Sequence, residues 1–265
     1  MARIAEVPTV APGVTAYAED YTPDELMVAT LARTIRDGDT VMHGVASMIP
    51  VMAIRLAKAT HAPNMVCINL EGIDFRPQRC YLTTEYFALG EGAVQWMSLP
   101  RLFEHAQRGR VSLGFFSGVQ IDREGNINTS ALGDYQHPSV RLTGGAGQAI
   151  LAHTVGRIVM WLPRHERRRL PEKVDFVTFP GHHPNVKKRL DQVVTNLAVM
   201  EFDQETGYMR LVSLHPRVTV EQVQQNTGFE LLIPSEVPET EPPTVGQIRL
   251  LREKIDPEGV RELGM

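Results

Sequence analysis

The chain is expected to fold as α/β, a single open, mostly parallel sheet with helices on both faces, on the strength of three observations. Thr40–His43 reads as a strand, an Ala-, Leu- and Met-rich stretch from about Val51 to Thr60 as a helix, and Met65–Ile68 as a second strand. Strand, helix and strand within roughly 30 residues make a βαβ unit, and such a unit sets its strands parallel. Short apolar runs at Val111–Phe116 and Ile158–Leu162 supply further buried strands.

Residues 1–21 show no apolar period and are read as an arm. Residues 22–265 are read as one domain, since neither a repeat nor a linker interrupts them. The first helix is announced by Thr22 as cap, Pro23 at the first helical position and Glu25 completing a capping box. Met27, Val28, Leu31 and Ile35 give it an apolar face, and Asp37-Gly38-Asp39 stops it. Leu102–Ala106 suggests a short helix ending near Gly109. Glu124-Gly125-Asn126 has turn chemistry between apolar flanks, consistent with a hairpin or a sharp loop. A helix opens after Thr143-Gly144-Gly145-Ala146-Gly147-Gln148, and Phe176–Phe179 is a further candidate strand. Val193–Phe202 and Tyr208–Leu214 look like strands paired across Asp203–Gly207. Val218–Thr227 has helical spacing, and Thr244 caps a last amphipathic helix that Pro257 stops.

The balance of 43% hydrophobic and 22% charged residues is that of a globular protein. A net charge of -4 gives no reason to expect nucleic acid or an anionic membrane as partner. No apolar run approaches the length of a membrane span, and Glu6, Pro8, Pro12 and Glu19 break any secretory leader. The expectation is a soluble, cytoplasmic protein. Cys67, inside an apolar run, reads as a small buried hydrophobe.

Candidate chemistry centres on the stretch that ends the Met65–Ile68 strand, Asn69-Leu70-Glu71-Gly72. Open α/β sheets bind ligands at the carboxyl ends of their strands. Glu71 there is either an ordinary solvated loop acid or a group at that ligand edge, and the strand alone leaves both open. The Gly144-Gly145-Ala146-Gly147 turn exposes backbone N–H groups that suit a phosphate, a carboxylate or a developing oxyanion. Close packing explains such glycines equally well. His165, His182 and His183 match no zinc spacing, and no metal is expected. Arg167-Arg168-Arg169, balanced by Glu166 and Glu172, reads as a solvated basic run.

Several motifs together resemble the β subunit of family I CoA-transferases, in its glutaconate CoA-transferase branch. They are Gln120-Ile121-Asp122 through Gly125-Asn126-Ile127-Asn128, Leu132-Gly133-Asp134-Tyr135, and Arg141-Leu142-Thr143-Gly144. His165-Glu166-Arg167-Arg168, Lys173–Thr178, Asn226–Phe229, Ile248–Arg252 and Ile255-Asp256-Pro257 extend the likeness from about Pro23 to Pro257. The resemblance implies an α subunit on a separate chain in an α2β2 assembly. It implies an acyl-CoA substrate and no tightly bound cofactor, coenzyme A arriving as part of the substrate. It also implies a glutamate, at the end of the strand after Pro63, that attacks the thioester carbonyl and passes through an anhydride to a glutamyl-CoA thioester.

This sequence departs from that pattern. Counted from Pro63, the family's glutamate falls at Leu70, and Glu71 follows one residue later. A one-residue step along a strand reverses the side-chain direction. Ala46 and Met48 stand where two glycines are usual. Such altered subunits resemble steroid-ring-degrading acyl-CoA hydrolases and a glutaconyl-CoA decarboxylase of the same fold; in the hydrolases an acid of the α subunit acts. Glu71 is kept as the catalytic candidate because it is the only carboxylate this stretch offers. The resemblance implies substrate binding by Gly44, Ser47, Asn69, Leu70, Gly144, Gly145, Ala146 and Gly147. The readings carried forward are a transferase, a hydrolase or decarboxylase with its acid on the α subunit, and a non-catalytic partner subunit.

Overall fold

The computed structural model describes residues 16–70, 72–75, 80, 90–181 and 190–263. They divide into two compact units, Met1–Phe115 with Glu241–Met265, and Phe116–Thr240. The fold is α/β with an open, mostly parallel sheet, as the βαβ unit predicts.

The first unit opens on α1 (Pro23–Arg33), whose capping box forms as expected between Thr22 and Glu25. Strand β1 (Thr40–His43) leads into α2 (Met48–Ala59), which returns the chain to β2 (Val66–Asn69). Helix α2 begins three residues earlier than expected. Pro50 is tolerated because it sits in the first turn, where its missing N–H costs no helical bond. Helices α1 and α2 pack on each other, and Leu26, Met27 and Leu31 of the first and Met52 and Leu56 of the second are fully buried. Strand β3 (Gly72–Ile73) pairs antiparallel with β2, α3 (Leu99–Gln107) follows, and β4 (Leu113–Phe116) closes the segment. The order is β4-β1-β2-β3, so β1 has a parallel neighbour on each side. Both carboxyl ends that matter here, His43 and Asn69, are therefore buried within a sheet rather than at its edge.

The second unit starts with the expected hairpin, β5 (Gln120–Ile121) against β6 (Ile127–Asn128). The Asp122 carboxylate organises its turn by accepting from the Glu124 and Asn126 N–H groups at 3.1 and 3.0 Å. A second hairpin, β7 (Ala131–Leu132) and β8 (Val140–Arg141), leads to α4 (Gln148–Thr154) and β9 (Arg157–Leu162). Strand β10 (Leu190–Thr195) lies parallel to β9. Strands β11 (Ala198–Phe202) and β12 (Met209–Leu214) then add antiparallel. The run Val193–Phe202, expected as one strand, is thus two. The Thr195 hydroxyl breaks it by accepting from the Leu197 and Ala198 N–H groups, both at 3.1 Å. Phe176–Phe179 is not a strand either. Only Phe179 bridges to Ile127, while Asp175 accepts from Gln120 and Gly133 and the Thr178 hydroxyl meets that of Ser130. Helix α5 (Val220–Gln225) follows Thr219, whose hydroxyl accepts from the Gln222 N–H. His165 and His215 are buried here. His165 lies between the Thr195 and Thr227 hydroxyls, and His215 between the Thr240 hydroxyl and the Thr195 carbonyl.

The chain then returns to the first unit. Thr244 and Gln247 form a capping box for α6 (Val245–Leu250), a π-turn covers Leu251–Ile255, and Asp256 ends it before Pro257. This return is tied to α1 through the fully buried Glu25. Its carboxylate accepts from Arg252 Nε and Nη2 at 2.7 and 2.8 Å, and Arg261 stands 3.1 Å away. Arg261 in turn pairs with Asp256 at 2.8 Å. Burial alone would raise the Glu25 pKa. The Arg252 guanidinium, the Thr22 N–H and Arg261 outweigh it and hold the carboxyl below its ordinary value. Removing one member of a buried charge network leaves the rest uncompensated, at a cost of about 3–5 kcal/mol. Glu25→Ala is therefore expected to lower stability by that order in urea denaturation. A loss under about 1 kcal/mol, the range of exposed pairs, would show the network to be marginal.

Candidate active site

In the first unit the parallel register Thr40↔Val66 and Val41↔Cys67, continued two residues, brings His43 beside Asn69. His43 is 2% exposed and Asn69 5%. Asn69 Nδ2 lies 2.9 Å from Nε2 and 3.0 Å from Nδ1 of the imidazole. His43 Nδ1 is 3.0 Å from the Gly44 carbonyl oxygen, and Phe75 meets the ring edge-on. Burial pushes the His43 pKa down to about 4, against a small opposing effect of the Gly44 carbonyl, so the ring is neutral at pH 7. His43 was not singled out from the sequence. Its signal was available: like Asn69, it ends a parallel strand.

Leu70, the residue after β2, is 37% exposed. The position that the family resemblance assigns to a glutamate thus carries a partly exposed aliphatic side chain. Glu71 lies outside the described residues. Beyond it, Gly72 has φ +129, and a Cβ there would stand 2.6 Å from the Gln95 carbonyl oxygen, so the start of β3 admits only glycine.

After β1, the Gly44 N–H donates to the Phe115 carbonyl at 2.9 Å, which holds the chain at the sheet as it leaves the strand. Ser47 occupies the N-cap position of α2, yet its hydroxyl makes no capping bond and donates to the Val45 carbonyl at 3.3 Å. Ala46 adopts φ +51. The backbone therefore keeps the left-handed conformation that suits glycine, while the residue adds a methyl group.

The other candidates belong to the second unit. Gly144 has φ +85 with open space where a Cβ would stand, and its N–H donates to the Thr129 carbonyl at 2.8 Å. A Cβ on Gly145 would meet Thr178 Cγ2 at 2.9 Å, so part of this glycine run serves packing. Ala146, at φ +41, is exposed. Gly147 stands at the N-cap of α4 with φ -78, an ordinary right-handed value. Among the described residues, the N–H groups of Gly145, Ala146 and Gly147 have no protein acceptor.

His165 is bonded into the threonine network described above, and His182 and His183 lie outside the described residues. Arg168 pairs with Glu166. Arg167 lines an open groove of about 510 Å³ with Arg123, Glu172 and Glu230, a groove that no candidate site residue reaches. No described helix is long and apolar enough to cross a membrane.

A family model described as Coenzyme A transferase matches residues 25–226. The chain belongs to the coenzyme A transferase family. The β subunit of glutaconate CoA-transferase from Acidaminococcus fermentans is 32% identical over 254 residues, 90% of this chain and 94% of that protein. The cholesterol ring-cleaving hydrolase IpdB subunit of Rhodococcus jostii is 30% identical over 233 residues, 84% and 87% of the two chains. A chain of the solved decarboxylase AibA/AibB matches with TM-score 0.83 and 32% identity, covering 92% of this chain and 98% of that one. This coenzyme A transferase family chain is thus a homologue of β subunits from enzymes of three different chemistries.

Two measurements probe the geometry directly. His43, His165 and His215 are each held at about 4 by burial, whereas an unfolded histidine titrates near 6.5. Between those values the unfolded chain binds the protons, so stability is full above pH 6.5 and falls as the pH drops toward 4. Asp24 acts in the opposite sense, because burial pushes its pKa up to about 6 and the folded state takes up that proton first. Three histidines against one carboxyl leave a net of two protons, a slope of about 3 kcal/mol per pH unit. Urea denaturation between pH 7 and pH 5 should show this fall, and a flat profile would mean that the three rings are solvated. The strain at Ala46 is the second target. Ala46→Gly should raise stability by about 1 kcal/mol, seen as a higher Tm. A lower Tm would show that the methyl group packs more than it strains.

Proposed function

We propose that this chain is the β subunit of an α2β2 enzyme that acts on an acyl-CoA thioester without forming an enzyme-bound thioester on this chain. The observation that carries this is the end of β2. Asn69 is buried against His43, and Leu70 stands where the family resemblance places the nucleophilic glutamate. Neither side chain can attack a carbonyl. The catalytic acid then comes from the α subunit, as the resemblance to the hydrolases implies, and the reaction is hydrolysis or decarboxylation of a degradation-pathway acyl-CoA. The names of two relatives, a ring-cleaving hydrolase and a decarboxylase, support that direction. In this reading Gly44 and Ser47 border the substrate at the end of β1. In the second unit, considered by itself, the N–H groups of Gly145, Ala146 and Gly147 are suited to donate to an anionic or carbonyl oxygen. Coenzyme A enters and leaves as part of the substrate.

A transferase acting through Glu71 is the second reading, favoured by identity to the glutaconate enzyme's β subunit. One experiment separates them: the purified α/β complex is incubated with a dicarboxylic acyl-CoA, with and without acetate. Free CoA or carbon dioxide without acetate dependence is expected. Hydroxylamine or borohydride should trap no adduct on Glu71, and Glu71→Ala should retain turnover. Acetyl-CoA as product, with a labelled Glu71 peptide, would restore the transferase mechanism to this subunit.

A further inference from the structure

The loop between β7 and β8 is closed by its own backbone. The Asp134 carboxylate accepts from the Gln136 and His137 N–H groups at 2.7 and 3.1 Å. Ser139 donates to the Leu132 carbonyl through both its N–H and its hydroxyl, at 2.9 and 3.0 Å. The Gly133 N–H donates to Asp175 at 2.9 Å, which ties the loop to the segment that carries Phe176. These bonds hold the loop without its aromatic side chain. Yet three flat groups are stacked on its outside. The Tyr135 and Phe176 rings lie 4.5 Å apart and 19° from parallel, and Arg141 Cζ stands 4.7 Å from the Tyr135 ring centroid. Tyr135 is 45% exposed, Phe176 is half-buried and Arg141 is exposed. Arg141 Nη2 donates to the Tyr135 carbonyl at 3.1 Å, and among the described residues no carboxylate pairs with this guanidinium. The acids of the loop region, Asp134 and Asp175, each spend a carboxylate oxygen on backbone N–H groups.

A rigid, exposed cluster of two aromatic rings and an unneutralised guanidinium is complementary to a flat heterocycle that carries negative charge. Aromatic rings and guanidinium planes both take a nucleobase on their faces. The N–H groups at the edge of a guanidinium meanwhile stay free to reach a phosphate oxygen. We propose that Tyr135, Phe176 and Arg141 are the landing surface for the nucleotide end of coenzyme A, the adenine stacking on the exposed side of the cluster and Arg141 meeting a phosphate. The proposal rests on the acyl-CoA reading above and concerns the end of the substrate remote from the thioester. It gives a role to Tyr135 and Arg141, which that reading leaves unused.

The test is isothermal titration calorimetry on the assembled α/β complex, with free coenzyme A, ADP and an acyl-pantetheine as separate probes. Tyr135→Ala and Arg141→Ala should each weaken coenzyme A and ADP about tenfold, the scale of one lost base stack. Affinity for the acyl-pantetheine, which lacks the nucleotide, should not change. Tyr135→Phe keeps the ring and should bind as the wild type does, and Arg141→Lys, which keeps the charge but not the plane, should recover only part of the loss. ADP should compete with coenzyme A. Wild-type affinity for coenzyme A in both alanine variants would overturn the proposal, as would an equal loss of acyl-pantetheine. ADP bound without competition would make the cluster a site for a different nucleotide and overturn it too. Light scattering guards against the other occupant: dissociation of the complex in Tyr135→Ala would make the cluster a subunit contact instead. A wild-type complex that bound neither coenzyme A nor the acyl-pantetheine would overturn the acyl-CoA reading itself, whereas binding indifferent to the variants removes only this surface.

Discussion

The geometry of the first unit depends on β1 having a parallel neighbour on both sides. A strand so placed has no free edge, and its last residue is carried into the interior with the sheet. A polar side chain ending such a strand must find a partner there or cost several kcal/mol. His43 ends β1 and Asn69 ends β2, and each is the other's partner. The same register that satisfies them places them at the carboxyl edge, where sheets of this class hold ligands. Burial, hydrogen bonding and place at the carboxyl edge therefore follow from one topological fact.

The turn after β1 shows the same economy. Its backbone is that of a glycine-rich turn, with φ +51 at residue 46, but the residue is alanine. A non-glycine residue in that region costs on the order of 1–2 kcal/mol. The turn is retained because the Gly44 N–H is bound to the Phe115 carbonyl and α2 begins at Met48, which leaves little freedom between them. The path of the chain is set by sheet and helix, and the side chains added on it, Ala46 and Met48, alter the wall without altering the path.

The fold was legible where local chemistry dominates. Thr22, Pro23 and Glu25 announced α1 because a capping box is complete within four residues. The βαβ unit was legible because apolar runs of strand length flanked a helix-forming stretch. Elements defined by distant partners were not. Thr195 splits β10 from β11 with one hydroxyl, and Phe176–Phe179 has strand composition, but its Thr178 hydroxyl and the preceding Asp175 are bonded to partners 40 to 60 residues away in the chain. Of the candidate site, the strand end was legible: the apolar run announced the strand that Asn69 closes and Leu70 follows, but His43 passed as the last residue of a strand. A lone histidine gives no sequence cue that a carboxamide 26 residues later will meet it.

The polar interior also constrains the chemistry. Among the described residues, His43, His165 and His215 are bonded to an amide, hydroxyls and carbonyls, and not to carboxylates. A histidine facing a carboxylate is pulled toward the imidazolium, whereas one facing neutral groups in a buried site stays uncharged. His43 at about 4 is therefore a poor proton donor at neutral pH and a weak base. It is suited to holding a neighbour in place and unsuited to proton transfer. If Asn69 and Leu70 supply no nucleophile and His43 supplies no proton, the end of β2 offers orientation and shape. The proposed function looks for the group that forms or breaks bonds in Glu71 or in a second chain, and divides between those two sources.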